Sequence, residues 1–133
     1  MGTRIAVRTG LLCGAVAALI GGVLPAAAHA AGNWDDCPQQ HVCFWTGDNA
    51  TGDMCYWSGD DPNWLTGAIK CSWAKSTRAQ SVYNHGTTGA SVSYYTGADY
   101  GGQRAGCTAS GGYGNFKGNN GTGYLLRSHR WSC

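Results

Sequence analysis

Short apolar runs recur along the chain, each broken by Gly, Asn, Asp or Ser. The runs at 42–46, 53–57, 79–83, 91–95 and 124–131 carry Val, Tyr, Trp, Phe or Leu, and 103–107 is expected as the return strand of the run at 91–95. Such residues suit a pleated, half-buried strand. Beyond residue 30 no window carries the period of an amphipathic helix. Clusters such as Gly47-Asp48-Asn49, Gly59-Asp60-Asp61-Pro62-Asn63 and Asn84-His85-Gly86 punctuate the runs as turns. Two longer loops are expected, over 58–70 and 108–123. Many short strands with regular turns predict an all-β sandwich or barrel.

The pattern also repeats. Val42 to Gly52 aligns with Val92 to Gly102, an offset of fifty residues. Val, Thr and two Gly recur in register, with adjacent aromatics (Phe44-Trp45, Tyr94-Tyr95) between them. Each copy reads as a strand, a polar turn and a Gly able to take a positive φ. The chain is therefore expected to hold two related units, near 37–86 and 90–133.

The first thirty residues read differently. Arg4 and Arg8 precede an uncharged apolar run from Leu11 to Leu24, and Ala28-His29-Ala30 offers a small-x-small cleavage site. This predicts a secretory signal over 1–30, with the folded domain over 31–133. Cys13 lies inside the apolar run, which does not fit a lipid-anchor site. The remaining cysteines are Cys37, Cys43, Cys55, Cys71, Cys107 and Cys133. An even count in a small secreted domain predicts three disulfides. No Cys-x-x-Cys pair is present and the histidines are scattered, so a metal site is not expected. Six cysteines allow fifteen pairings; the sequence-local set, Cys37–Cys43, Cys55–Cys71 and Cys107–Cys133, is the expected one.

Charge then narrows the function classes. After residue 30, seven Lys and Arg balance seven Asp, and Glu is absent. Nucleic-acid binding needs a basic stripe that this chain lacks. Aromatics are plentiful instead: all six Trp and seven Tyr lie beyond residue 30. Most are expected in the core, and any surplus on loops or faces is where recognition would sit.

Tyr95-Thr96-Gly97-Ala98-Asp99-Tyr100-Gly101-Gly102 resembles a βγ-crystallin Greek-key signature, with Tyr95, Tyr100 and Gly102 in the signature positions. The first copy keeps Trp45 and Gly52 but has Ala50 where the second aromatic belongs, so its hairpin is expected to stack less firmly. Cys37-Pro38, Val42-Cys43-Phe44-Trp45, Ala79-Gln80-Ser81-Val82-Tyr83-Asn84 and Ser128-His129-Arg130-Trp131 extend the likeness. With these, residues 31–133 resemble the secreted actinobacterial βγ-crystallin-like peptidase inhibitors, peptidase inhibitor family thirty-six. The resemblance implies a βγ-crystallin-like sandwich of two Greek-key motifs and a monomeric inhibitor of an extracellular metallo- or serine protease. Relatives of this pattern often bind calcium. Here the corresponding stretches, 76–81 and 123–128, lack the paired acidic or amide residues, so no calcium and no other cofactor is expected.

Enzymatic chemistry is not expected. No Ser or Cys stands in an elbow motif. His85 reads as a solvated turn residue, His129 as structural, and Asp60-Asp61 as turn-forming before Pro62. Inhibition needs less: a rigid loop that fits a protease cleft. Trp64 and Leu65, in a loop bracketed by Cys55 and Cys71, and Tyr113 and Phe116 in the second loop, are the candidate contacts. The competing class is a secreted module that binds cell-wall glycan or acts as a killer-toxin-like antimicrobial. An aromatic row on a sheet face would point to that class, and a single aromatic at a loop tip to inhibition.

Overall fold

A computed structural model describes residues 32–133. The expected signal and Cys13 lie outside the described residues. Seven strands form: β1 (Val42–Trp45), β2 (Met54–Trp57), β3 (Ser81–Asn84), β4 (Val92–Tyr95), β5 (Arg104–Thr108), β6 (Tyr113–Asn115) and β7 (Ser128–Arg130). They build two antiparallel sheets, ordered β2-β1-β3-β6 and β5-β4-β7. A bridge between Asp61 and His129 adds a one-residue fourth strand beside β7. Each unit therefore lends its third strand to the other unit's sheet. Residue 61 of the first unit joins β7, and β6 of the second unit joins β3. The expected sandwich of two Greek keys is the observed fold.

Period-two alternation decides which side chains meet. Val42 and Phe44 of β1, Trp57 of β2, Val82 of β3 and Tyr94 of β4 point between the sheets. Phe44 sits centrally, its ring 4.8 Å from Trp64, 5.4 Å from Tyr94 and 6.2 Å from Trp57. Burying a ring of this kind stabilises the fold by about 1.5–3 kcal/mol. Cys43 and Trp45 alternate to the outer face, where Cys37, Ala50 and Trp34 cover them. The disulfides join Cys37–Cys43, Cys55–Cys71 and Cys107–Cys133. The first ties the lead-in segment to β1, the second brackets the long loop, and the third ties the C-terminus to β5.

The fifty-residue repeat holds bond by bond. Thr46 N–H donates to Asp53 O at 3.0 Å, and Thr96 N–H to Gln103 O at 3.0 Å. The Thr46 and Thr96 hydroxyls each accept from the N–H seven residues on, at 2.9 Å. Gly52 (φ 81°) and Gly102 (φ 69°) occupy equivalent left-handed positions, as do Ala50 (φ 58°) and Tyr100 (φ 57°). One serine at the start of each unit's last strand, Ser81 of β3 and Ser128 of β7, clamps its hairpin. Ser81 Oγ donates to Gly47 O at 2.7 Å and accepts from Ala50 N–H at 3.2 Å. Ser128 Oγ donates to Gly97 O at 2.6 Å and accepts from Tyr100 N–H at 3.1 Å. In the second hairpin Tyr95 and Tyr100 meet edge to face at 5.9 Å. The first hairpin lacks that second ring, and Trp34 supplies a partner to Trp45 instead, at 5.5 Å.

The third strands are the elements missing from the sequence reading, which placed them in loops. Both are short: β6 spans three residues with Gly114 at its centre, and the other is Asp61 alone, next to Pro62. Neither carries an apolar run for a period to register.

Candidate functional site

The loop over 58–70 divides into an anchored half and an exposed half. Asp61 Oδ1 accepts from Asn63 N–H at 2.8 Å, and Asn63 Oδ1 from Leu65 N–H at 3.1 Å. These Asx turns wind the chain inward. Trp64 N–H then donates to Arg127 O at 2.8 Å, and Asp60 Oδ1 accepts from Trp131 N–H at 2.7 Å. Asp61 thus does the turn-forming work expected of it, whereas Asp60 ties the loop to the distant Trp131 backbone instead.

Trp64 is not a loop-tip contact. It has 0% exposure and stacks on Trp57 at 4.6 Å. Its indole N–H donates to His129 Nδ1 at 2.8 Å. An indole only donates, so Nδ1 must accept. His129 Nε2–H then donates to Gly59 O at 2.8 Å. Both ring nitrogens are committed and the imidazole is neutral. Burial drives its pKa down from 6.5 to about 4; the Gly59 carbonyl and the Asp61 and Asp60 carboxylates oppose this and only partly offset it.

Phe116 is likewise buried, at 8% exposure. Trp64 and Phe116 are buried for the same reason. Trp64 N–H donates to Arg127 O, and Phe116 N–H to Gln80 O, the residues just before Ser128 and Ser81. They occupy matching places in the two units, and each plugs the core behind its third strand. Leu65 is half-buried against the same core. Of the four expected contacts only Tyr113 stands out, at 62% exposure. It lies on β6, at the sheet's outer face, and not at a loop tip. His85 is also not simply solvated: its Nδ1 lies 2.8 Å from Cys37 O and its ring stacks on Tyr83 at 4.6 Å.

The exposed half of the loop is 66–70. Cys71 N–H donates to Trp64 O at 2.7 Å, which closes the segment's base, and the Cys55–Cys71 disulfide holds its exit. Gly67 turns the chain with φ 85°, and a Cβ added there would project into open space. Ile69 then projects at 46% exposure, one of three large apolar side chains so exposed among the described residues. A cavity of about 270 Å³ separates this lip from the anchored half. The sequence reading passed over Ile69 in favour of the larger Trp64. Its signal was a lone β-branched residue between Gly67-Ala68 and Lys70-Cys71. Among the described residues, no three metal-ligating side chains converge, and no helix is long and apolar enough to cross a membrane.

Interlocked Greek-key sheets with a clamped hairpin in each define a βγ-crystallin-type domain. A solved structure described as "Evolution of the eye lens beta-gamma-crystallin domain fold" superposes with a TM-score of 0.53 at 10% identity, over 71% of this chain and 87% of that one. The βγ-crystallin Geodin from Geodia cydonium gives 0.44 at 14% identity, over 68% of this chain and 48% of its own. No curated protein matches the chain. The model of Peptidase inhibitor family I36 matches residues 30–108, more than half of the sequence. The chain belongs to that family.

Proposed function

We propose that this protein is a secreted inhibitor of an extracellular metallo- or serine endopeptidase, and that it engages the enzyme through the segment 66–70. The observation that carries this reading is the disulfide-bracketed lip with Ile69 projecting from it, in a chain of a peptidase inhibitor family. A protease cleft takes an extended segment with an apolar side chain in a subsite. A segment already held in shape loses little conformational entropy on entering. Anchoring by the Asx turns, the Trp64 carbonyl and the disulfide supplies that rigidity. No residue here need act as acid, base or nucleophile.

The test is a panel of metallo- and serine endopeptidases assayed with purified, fully oxidised protein. Submicromolar inhibition of at least one enzyme is expected. Ile69→Ala should weaken it by about 30-fold, a hot-spot loss of about 2 kcal/mol. No inhibition at micromolar concentration anywhere in the panel, or full retention by both Ile69→Ala and Lys70→Ala, would overturn the proposal.

A further inference from the structure

The outer face of the β2-β1-β3-β6 sheet carries an aromatic row, whose Tyr56 end shares a cavity lining with Ile69 and Lys70 and whose Tyr113 end lies on the far edge strand. Cys43 faces Tyr56 on one side and Tyr83 on the other, and Tyr83 faces Tyr113. With neighbouring strands about 4.8 Å apart, the row runs roughly 14 Å. Trp34 lies over it, 4.9 Å from the Tyr113 ring and 6.4 Å from Tyr83. Tyr83 and Tyr113 touch edge to face at 5.5 Å. Tyr113 is 62% and Tyr56 43% exposed. Their hydroxyls, and that of Tyr83, bond to no other described residue.

The fold does not demand these rings. Across the pseudo-two-fold, Ser93 stands where Cys43 does, Cys107 where Tyr56 does, and Arg130 where Tyr83 does. On that second sheet the Arg130 guanidinium covers Tyr95 and Tyr100, at 5.6 Å and 5.4 Å from their ring centres. On the first sheet other rings do the covering, His85 and Trp34 over Tyr83 and His41 against Tyr56, which leaves Tyr113 and Tyr56 at the two ends of the row as its exposed rings. None of its outward strand positions, from Cys43 and Trp45 of β1 to Tyr113 and Asn115 of β6, carries a formal charge. The strands of this face therefore offer an ionic partner no counter-charge, and the carboxylates of Asp35 and Asp36, which follow Trp34, would repel an anionic one.

We propose that this face binds a neutral polysaccharide chain laid along the row, beyond the inhibitory role of 66–70. The faces of sugar rings carry slightly positive C–H groups, which complement the negative face of an aromatic ring. Free Tyr hydroxyls can exchange hydrogen bonds with sugar hydroxyls and fix the chain's orientation. Ring-to-ring contacts already restrain Trp34, Tyr83 and Tyr113, so little rotamer freedom is lost on binding.

The experiment measures depletion of the purified full chain from solution by insoluble chitin, cellulose and β-1,3-glucan, followed by tryptophan fluorescence with soluble oligosaccharides of the retained polymer. Retention on at least one polymer is expected. Tyr113→Ala should weaken it by at least tenfold and the Tyr56→Ala, Tyr113→Ala double variant should abolish it. Both side chains are exposed, and unchanged melting curves would show that these variants fold. Ile69→Ala should retain full polysaccharide binding, and Tyr113→Ala full protease inhibition, so that either proposal can fail without the other. Absence of retention on all three polymers, or undiminished retention by the double variant, would overturn this one.

Discussion

Acid should destabilise this protein through His129. The ring is fully buried, accepts from Trp64 Nε1–H at 2.8 Å and donates to Gly59 O at 2.8 Å. A second proton would go on Nδ1, where it would face the indole N–H with no acceptor between them. Burial is the larger part of the penalty, and it holds the pKa at about 4 against an ordinary 6.5. In the unfolded chain the ring titrates near its ordinary value. Between pH 6.5 and 4 the unfolded state thus binds more protons than the folded one, and stability drops as the pH is lowered. The contribution is fully present above pH 6.5 and declines by about 1.4 kcal/mol per pH unit, for a total of about 3 kcal/mol by pH 4. Urea unfolding followed by tryptophan fluorescence from pH 8 to 4 measures it directly. His129→Gln, which keeps a neutral donor and acceptor, should start less stable but lose much less of its stability over this range. An NMR titration placing the folded His129 pKa near 6.5, or an unfolding free energy that stays flat from pH 7 to 4 in the wild type, would refute the reasoning.

Trp64→Ala should cost about 3–5 kcal/mol in urea unfolding, because it empties a core site and leaves His129 Nδ1 unpaired. Ile69→Ala should shift the melting temperature little, since the side chain is largely in solvent. Gly102→Val should lower the melting temperature markedly: φ is 69°, and a Cβ there would lie 2.5 Å from Thr96 Oγ1 and 2.9 Å from Gly97 N. Equal melting curves for mutant and wild type would count against that assignment. Replacing Cys55 and Cys71 together by Ser should cost about 3 kcal/mol in the chain-entropy model, and should weaken inhibition more than that stability loss alone explains. Retained inhibition in the folded double-Ser protein would show that the bracket is structural only.

The architecture was legible because it is written twice. Four of the strands, β1 to β4, carry an apolar or aromatic run, and the recurrence of Thr46 and Gly52 as Thr96 and Gly102 marks two matching turns. What escaped is what has no periodic signal. A strand of one residue at Asp61 exists only because His129 is there to receive it. The site was legible in part. The expected Cys55–Cys71 bracket forms, and Tyr113 is exposed as the sequence suggests. Trp64 was misplaced because a large aromatic beside Pro62-Asn63 looks the same whether its loop turns outward or inward. The inward turn depends on Asp61 and Asn63 accepting from Asn63 and Leu65 N–H groups, and on Arg127, far along the chain, offering its carbonyl.

The internal two-fold separates what the backbone needs from what is free to serve function. Where the halves agree, the residues hold the fold: Ser81 and Ser128 clamp the hairpins, Thr46 and Thr96 close them, Trp64 and Phe116 plug the core. Where the halves differ, the same backbone position tolerates unlike side chains, so packing alone did not choose them. Tyr83 stands opposite Arg130, and Tyr56 opposite Cys107. The segment 66–70, after Trp64, is a bracketed lip, whereas the chain after Phe116 makes a single helical turn at Gly118–Gly121. The two proposed binding sites fall in this second class. Neither the lip nor the aromatic row is required by the sheets that carry it. Each can therefore be altered while the clamps and plugs keep the domain folded, and activity can be measured apart from stability.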